Sequence, residues 1–260
     1  RRSVRTGMTE HITSRTNPLV LQIKKLRDSR SFRRARGRYL CEGPKLLEEA
    51  LKWDAGVRTV VAAEGAALPA LPGDVRLVTV PPSLLAAMAD TKSPQGVLFL
   101  CETPPMAPPR TLTGRRYLVL DGVGDPGNLG TIWRTADAFG ADGLFLLGSC
   151  ADPWAPKTVR ATMGAVFRMP VWETDLASLT ALLRQAELPL YAAALRLDSV
   201  DVRQVDWSRA AAAIGSEARG LSPETIAASQ GTVEIPMSPR CESLNAAAAS
   251  TVILWEMFRS

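Results

Sequence analysis

The 260-residue chain has one histidine, His11, and four cysteines, Cys41, Cys101, Cys150 and Cys241, none in a C-x-x-C pair. His11 lies in a polar N-terminal stretch, which excludes a Ser-His-Asp triad, a Cys-His dyad and a histidine-ligated metal. Cysteines so scattered argue against a zinc ribbon or a disulfide scaffold and fit a reducing cytoplasm. No apolar run reaches the ~18 residues of a membrane helix, and the longest, at 246–255, is about half that. No secretory signal is read at the start, where Arg1, Arg2 and Arg5 are followed by polar residues. Residues 1–7, ahead of Met8, are given no role in the fold. The chemistry left open is that of carboxylates, arginines, backbone amides or a cofactor.

What is present is core-forming. Apolar residues make up 46% and charged residues 22%, enough for one large core or two medium ones and too apolar for a disordered chain. The net charge of +5 hides an asymmetry: residues 1–58 carry 15 Lys/Arg against 6 Asp/Glu, whereas the remainder carries 16 against 20. From Arg15 to Arg38 there are nine basic residues and one acid, Asp28. A basic block on an otherwise acidic chain points to a polyanion, most simply nucleic acid, rather than to a merely solvated helix face.

The segment 102–113 (ETPPMAPPRTLT) holds four prolines and reads as an extended linker. It separates a flexible tail (1–14) and a small α/β domain (15–101) from a second α/β domain (114–260). In the first domain, Asn17-Pro18 opens a helix, further helices start at Pro44 and Pro81, and strands fall at 39–41, 57–62, 75–80 and 96–100. In the second, short apolar strands at 117–120, 143–147, 190–194, 211–214 and 233–235 alternate with helices at 129–139, 175–186 and 243–258. Such alternation predicts a parallel sheet covered on both faces, with ligands at the carboxyl ends of its strands.

Three loops follow those strands. The first contains Gly122, Gly124 and Gly127 in G-x-G-x-x-G spacing, so a nicotinamide-type oxidoreductase must be weighed. Against it stand Pro126, which removes an amide, Asp125, which puts negative charge where phosphates would lie, and the lack of an acid ending the second strand. The following helix takes Asn128 as its N-cap, Leu129, Ile132, Trp133 and Ala136 as its apolar stripe, and Gly140 as its C-cap. Arg134 lies off that stripe, and its plain reading is a surface arginine paired at i, i+3 with Asp137.

Together the three loops resemble the SpoU/TrmH family of the SPOUT class of RNA 2′-O-ribose methyltransferases. Asp125-Pro126-Gly127-Asn128-Leu129-Gly130 with Arg134 is similar to the family's first motif, and Gly215-Ser216-Glu217-Ala218-Arg219-Gly220-Leu221 to its second. Ile235-Pro236-Met237 with Ser243-Leu244-Asn245 is similar to its third. The N-terminal part resembles the RNA-binding substrate domain of the ribosomal-RNA branch, through Asn17-Pro18, the Arg-rich stretch, Glu42-Gly43 and Ser93-Pro94-Gln95-Gly96-Val97.

The resemblance implies a trefoil knot, S-adenosylmethionine as cofactor, a homodimer and no metal. It makes Arg134 the catalytic arginine, with Asn128, Ser243 and Asn245 orienting it and the ribose, and Glu217 fixing the second loop or pairing with an arginine. The plain alternatives are helix caps for Asn128 and Ser243 and a solvated acid for Glu217. Gly215, Ile235 and Leu244 would hold the cofactor through backbone groups, with Ala194, Met237 and Ala247 lining its pocket. Arg15, Lys24, Lys25, Arg27, Arg33, Arg34, Arg36 and Arg38 would meet RNA phosphates. The expected activity is methylation of a ribose 2′-hydroxyl in 23S ribosomal RNA. A transfer-RNA methyltransferase, an antibiotic-resistance methylase and a non-catalytic RNA-binding factor are the other readings.

Overall fold

The structure, a computed structural model, describes residues 10–240 and 243–259. Residues 1–9 of the expected tail lie outside the described residues. Two compact units form: one runs up to Pro104 and takes in Trp154–Phe167, and the other holds Pro105–Pro153 and the chain from Arg168 onward.

The first unit contains β1 (Glu10–His11), α1 (Pro18–Asp28), α2 (Arg30–Arg36), β2 (Arg38–Glu42), α3 (Pro44–Lys52), β3 (Val57–Ala63), β4 (Arg76–Val80), α4 (Pro82–Met88) and β5 (Val97–Glu102). Its sheet has the order β1-β4-β3-β5-β2, parallel from β1 to β3 and antiparallel at β5. Part of the expected tail therefore belongs to the fold: Glu10–His11 pairs with β4, and the next residue, Ile12, is buried with its amide donating to Thr79 O (3.0 Å). A single apolar residue among polar ones carries little pattern, and only long-range pairing identifies this strand.

The Arg-rich stretch is two helices. Asn17 caps α1 by accepting from Leu19 N (2.9 Å), with Pro18 in the first turn. Ser29 then takes an extended backbone (φ −126°, ψ 114°) and caps α2, its hydroxyl accepting from Phe32 N (3.2 Å). Gly37 closes α2 in the left-handed region at φ 57°.

The second unit begins with β6 (Arg116–Asp121), α5 (Pro126–Phe139) and β7 (Gly143–Leu147). The chain next supplies α6 (Pro156–Ala161) to the first unit, where Trp154 meets Tyr39 with ring centroids 4.7 Å apart, both rings buried. The expected unbroken domain over 114–260 is thus interrupted, because this segment's apolar side chains are buried in the first unit. The second unit continues with β8 (Val171–Glu173), α7 (Leu176–Gln185), β9 (Leu190–Ala193), β10 (Val200–Asp201), β11 (Ala210–Gly215), α8 (Pro223–Ala227), β12 (Gly231–Glu234) and α9 (Ala246–Phe258).

Its sheet has the order β10-β12-β9-β11-β6-β7-β8, and every pairing is parallel. The central strands read as continuous apolar runs because both faces are covered: Leu118 to Leu120 and Ala210 to Ala213 are fully buried. Small residues along β11 let α9 lie close on it, while α9 also packs along α5. Between Glu102 and Arg116 the Pro-bearing segment forms no helix or strand, and Glu173 N donates to Met106 O (2.9 Å). The carboxyl ends of β6, β11 and β12 carry the three loops of interest.

Candidate active site

The first loop leaves β6 at Asp121 and becomes α5 at Pro126. Asp125, not Asn128, is the N-cap: its side chain accepts from Asn128 N at 2.8 Å. Pro126 explains the shift, since proline favours the first helical position and so places the cap one residue earlier. Asp125 thereby takes the Asn128 amide and sets a carboxylate at the helix N-terminus where a dinucleotide pyrophosphate would lie, which counts against the oxidoreductase reading. Asn128 stands in the first helical turn with its side chain available for other partners.

Leu129, Ile132, Trp133 and Ala136 form the buried stripe as expected, and Trp133 Nε1 donates to Met169 O (3.1 Å). Gly140 ends α5 at φ 84°. The expected Arg134–Asp137 pair does not form. Asp137 instead binds Arg168, whose Nε and Nη2 lie 2.9 and 2.8 Å from Oδ2. Arg134 is exposed and makes no hydrogen bond or ion pair among the described residues. An exposed helix arginine with no partner among the described residues is suited to an external anion.

The second loop turns tightly after β11. A Cβ on Gly215 would fall 2.1 Å from Gly220 C and 2.2 Å from Leu221 N, so only glycine fits there. Ser216 and Gly220 exchange backbone hydrogen bonds of 3.1 and 2.9 Å across the turn, which presents Glu217 outward. The third loop leads into α9, whose N-cap is Asn245 rather than Ser243: Asn245 Oδ1 accepts from Ala247 N (2.9 Å) and Ala248 N (3.4 Å). Both expected cap readings therefore move, from Asn128 to Asp125 and from Ser243 to Asn245.

These side chains join the loops. Asn245 Nδ2 donates to Asn128 Oδ1 (3.2 Å), and Asn128 Nδ2 donates to Glu217 Oε1. A hydrogen-bonded chain thus runs from the amides of α9, through α5, to the second loop. Glu217 and Asn245 are solvent-exposed and Asn128 is half-buried between them.

Beside it lies a cavity of about 440 Å³, within the range of small-molecule sites. Gly215, Ile235, Leu244, Met237 and Ala194 all line it, as does Ser243. Ala247 does not: it is buried, and Ala246 and Ala249 take its place, one helical turn apart on the same face. The walls missed by sequence reasoning include Ile214, Leu221 and Val233, and the charged Arg196, Arg219 and Glu234. Arg219 and Leu221 stand within the second motif and Ile214 just before it, which was the available signal; Arg196 had none.

In the first unit the basic residues separate into two sorts. Arg33 is buried, and its Nη1 donates to Leu26 O (2.5 Å) and Arg27 O (3.0 Å), stitching α2 to the end of α1. Arg27 Nη1 donates to Ala87 O and Ala89 O (3.1 Å each), closing the end of α4, while its Nε meets Asp28 at 2.7 Å. That contact, first of all the hydrogen bond itself, holds the Asp28 carboxyl below its ordinary range. Both arginines are corrected from RNA contacts to structural ties, because carbonyls at helix ends need donors. Arg15, Lys25, Arg34 and Arg36 are exposed, and Lys24 and Arg38 half-buried. Lys25 and Arg36 lie over Phe32, 5.7 and 5.3 Å from its ring centroid.

Comparison with known proteins matches this architecture. The sequence pattern of the SpoU rRNA Methylase family covers residues 115–255, and that of the MRM3-like substrate binding domain covers residues 17–98. A 23S rRNA (guanosine(2553)-2′-O)-methyltransferase of Bacillus subtilis is 30% identical over 95% of this chain and 99% of its own. A 23S rRNA (uridine(2479)-2′-O)-methyltransferase of Streptomyces viridochromogenes is 30% identical over 99% of this chain and 95% of its own. The crystal structure of an AdoMet-bound rRNA methyltransferase from Sinorhizobium meliloti superposes with a TM-score of 0.86 at 32% identity, over 97% of this chain and 98% of that one.

Proposed function

The chain belongs to the SpoU rRNA methylase family, and on that premise we propose that it methylates a ribose 2′-hydroxyl of 23S ribosomal RNA with S-adenosylmethionine as methyl donor. The observation that carries this reading is the Asn245–Asn128–Glu217 chain at the mouth of the 440 Å³ cavity, with the exposed Arg134 on the same helix as Asn128. The two relatives above act on different bases at the same ribose oxygen, which supports the 2′-hydroxyl as the reacting group. The match of residues 17–98 to a substrate-binding domain of an rRNA methyltransferase type favours ribosomal over transfer RNA.

The cavity suits the cofactor. Its size fits a nucleoside-bearing ligand, and the glycine turn at Gly215 and the apolar Ile214, Leu221, Val233 and Ile235 supply backbone groups and a flat apolar wall. When bound, S-adenosylmethionine supplies a methyl group on a positive sulfonium, a leaving group that requires no metal. Arg134 holds a substrate phosphate and stabilises the forming alkoxide, since guanidinium stays protonated and is a poor base. A phosphate oxygen or water then takes the 2′-hydroxyl proton. Asn128 and Asn245 fix the approach of the ribose, and Ser243 adds a hydroxyl at the cavity rim.

The reading also includes a knotted chain, a homodimer and a cytoplasmic setting. The return of β9, β11 and β12 to the side of β6 opposite β7 supports the knot. The exposed Trp255 on α9, 56% accessible beside Phe139, supports a dimer face. The free thiols of Cys41, Cys101 and Cys150 support a reducing compartment.

The test is methyl transfer from labelled S-adenosylmethionine to unmodified 23S and transfer RNA, with Arg134→Ala alongside. Alkali-resistant label in 23S RNA, lost in the variant, is the expected result. Label in transfer RNA alone would move the substrate assignment, and no binding of S-adenosylmethionine would end the enzyme reading.

A further inference from the structure

At the carboxyl end of β6, Asp121 sits opposite Gly215 in the register with β11. Its Oδ2 accepts three hydrogen bonds: from Ser222 N (3.0 Å), Ser222 Oγ (2.7 Å) and Thr225 Oγ1 (2.8 Å). Ser222 is also the N-cap of α8, its hydroxyl accepting from Thr225 N (3.2 Å). Ser222 Oγ and Thr225 Oγ1 also lie 2.8 Å apart, so the two hydroxyls and the carboxylate form one closed hydrogen-bonded cluster.

The loop between Gly215 and Ser222 is therefore tied at both ends. The glycine turn fixes its start, and Asp121 fixes the residue that follows it. This loop walls the cavity through Ser216, Glu217, Arg219 and Leu221, and it carries Glu217 to Asn128. None of the family-like motif positions includes Asp121.

We propose that Asp121 is a positioning residue: it holds the second loop in the shape that closes the cavity and presents Glu217 to Asn128. The inference rests on the reading of the cavity as the S-adenosylmethionine site. Charge-assisted hydrogen bonds are stronger than neutral ones, and a carboxylate accepts three donors without offering one of its own. An asparagine at 121 can set its amide oxygen where Oδ2 stands and keep the three contacts, but it loses the charge that strengthens them.

The experiment compares wild type with Asp121→Asn as the full chain. It reads amide hydrogen exchange over 216–221, calorimetric binding of S-adenosylmethionine, and kcat and KM on 23S RNA with and without Glu217→Gln. We expect exchange in the loop to quicken by about tenfold or more while β6 stays protected, and cofactor affinity to fall about tenfold. Because Asp121 acts through Glu217, the double variant should have a kcat no lower than Glu217→Gln alone. Unchanged loop exchange, unchanged affinity, or losses that multiply in the double variant would overturn the proposal. Should Asp121→Asn fail to fold, Ser222→Ala and Thr225→Val each delete one donor and should shift the same readouts by a smaller factor; silence in both also overturns it. If wild type binds no S-adenosylmethionine, the methyltransferase reading falls, while hydrogen exchange still decides whether Asp121 orders the loop.

Discussion

The two units use arginine in opposite ways. In the first, within the most basic stretch of the chain, Arg33 is buried against the carbonyls of Leu26 and Arg27, and Arg27 reaches the carbonyls of Ala87 and Ala89. In the second, which is far less basic, Arg168 takes the carboxylate beside Arg134 and leaves Arg134 exposed without an internal partner among the described residues. Charge density along a sequence thus says where a polyanion is drawn, not which cation meets it. What decides is whether the fold already offers that cation an acceptor.

Breaking this contrast begins with the largest effect. Arg134→Ala should lower kcat by about 10²–10³-fold, the usual cost of removing a group that stabilises developing negative charge, with the melting temperature unchanged. A variant that melts early would assign Arg134 to the fold instead. Arg33→Met should do the reverse, costing about 1–3 kcal/mol of stability through unsatisfied buried carbonyls, with the salt slope of RNA binding unaltered. Denaturant melts and a salt titration read the two quantities separately.

The next effect is smaller. Lys25→Ala and Arg36→Ala should each weaken RNA binding and reduce the slope of log K against log salt by about one, at little cost in stability. An unchanged slope would remove these two from the RNA surface. Smallest is Asp28→Asn. Arg27 depresses the Asp28 carboxyl, so its stabilisation is present above the ordinary carboxylate pKa of about 3.9 and lost as pH falls through the lower folded value. The Asp28 carboxylate is largely exposed, so wild type should exceed the variant by only a few tenths of a kcal/mol at pH 7. Melts at pH 7 and at pH 2–3 should show that gap narrowing on acidification.

Much of the second unit was legible because parallel strands covered on both faces must be apolar throughout, and glycine and proline punctuate their ends. The run at 143–147 coincides with β7 for that reason. The caps were legible in type but not in place. Asp125 and Asn128 are both capping residues, and Pro126 between them was the signal that chooses Asp125. Asn245 took the role read for Ser243 because the helix starts at Ala246, inside a run of alanines with no periodicity to mark its first turn.

Three features had no local signal. The transfer of 154–167 to the first unit depends on Trp154 finding Tyr39, more than a hundred residues away. Arg33 looked like its neighbours until Ser29 broke the helix and turned it inward. Asp121 lay beside the first motif, but its partners Ser222 and Thr225 stand about a hundred residues later.

Asn245 has one further consequence. Its oxygen is claimed by the free amides at the start of α9, so its nitrogen has no choice but to face Asn128. That orientation compels Asn128 to show its oxygen to Asn245 and its nitrogen to Glu217. Every amide in the chain is thereby polarised by a helix end, and the network has a direction rather than two interchangeable ones. Aspartate at 245 would serve that helix equally well as a cap, yet it would have no N–H to donate to Asn128. The same position can therefore be satisfied for folding while the link to Asn128 is broken, depending on a single atom.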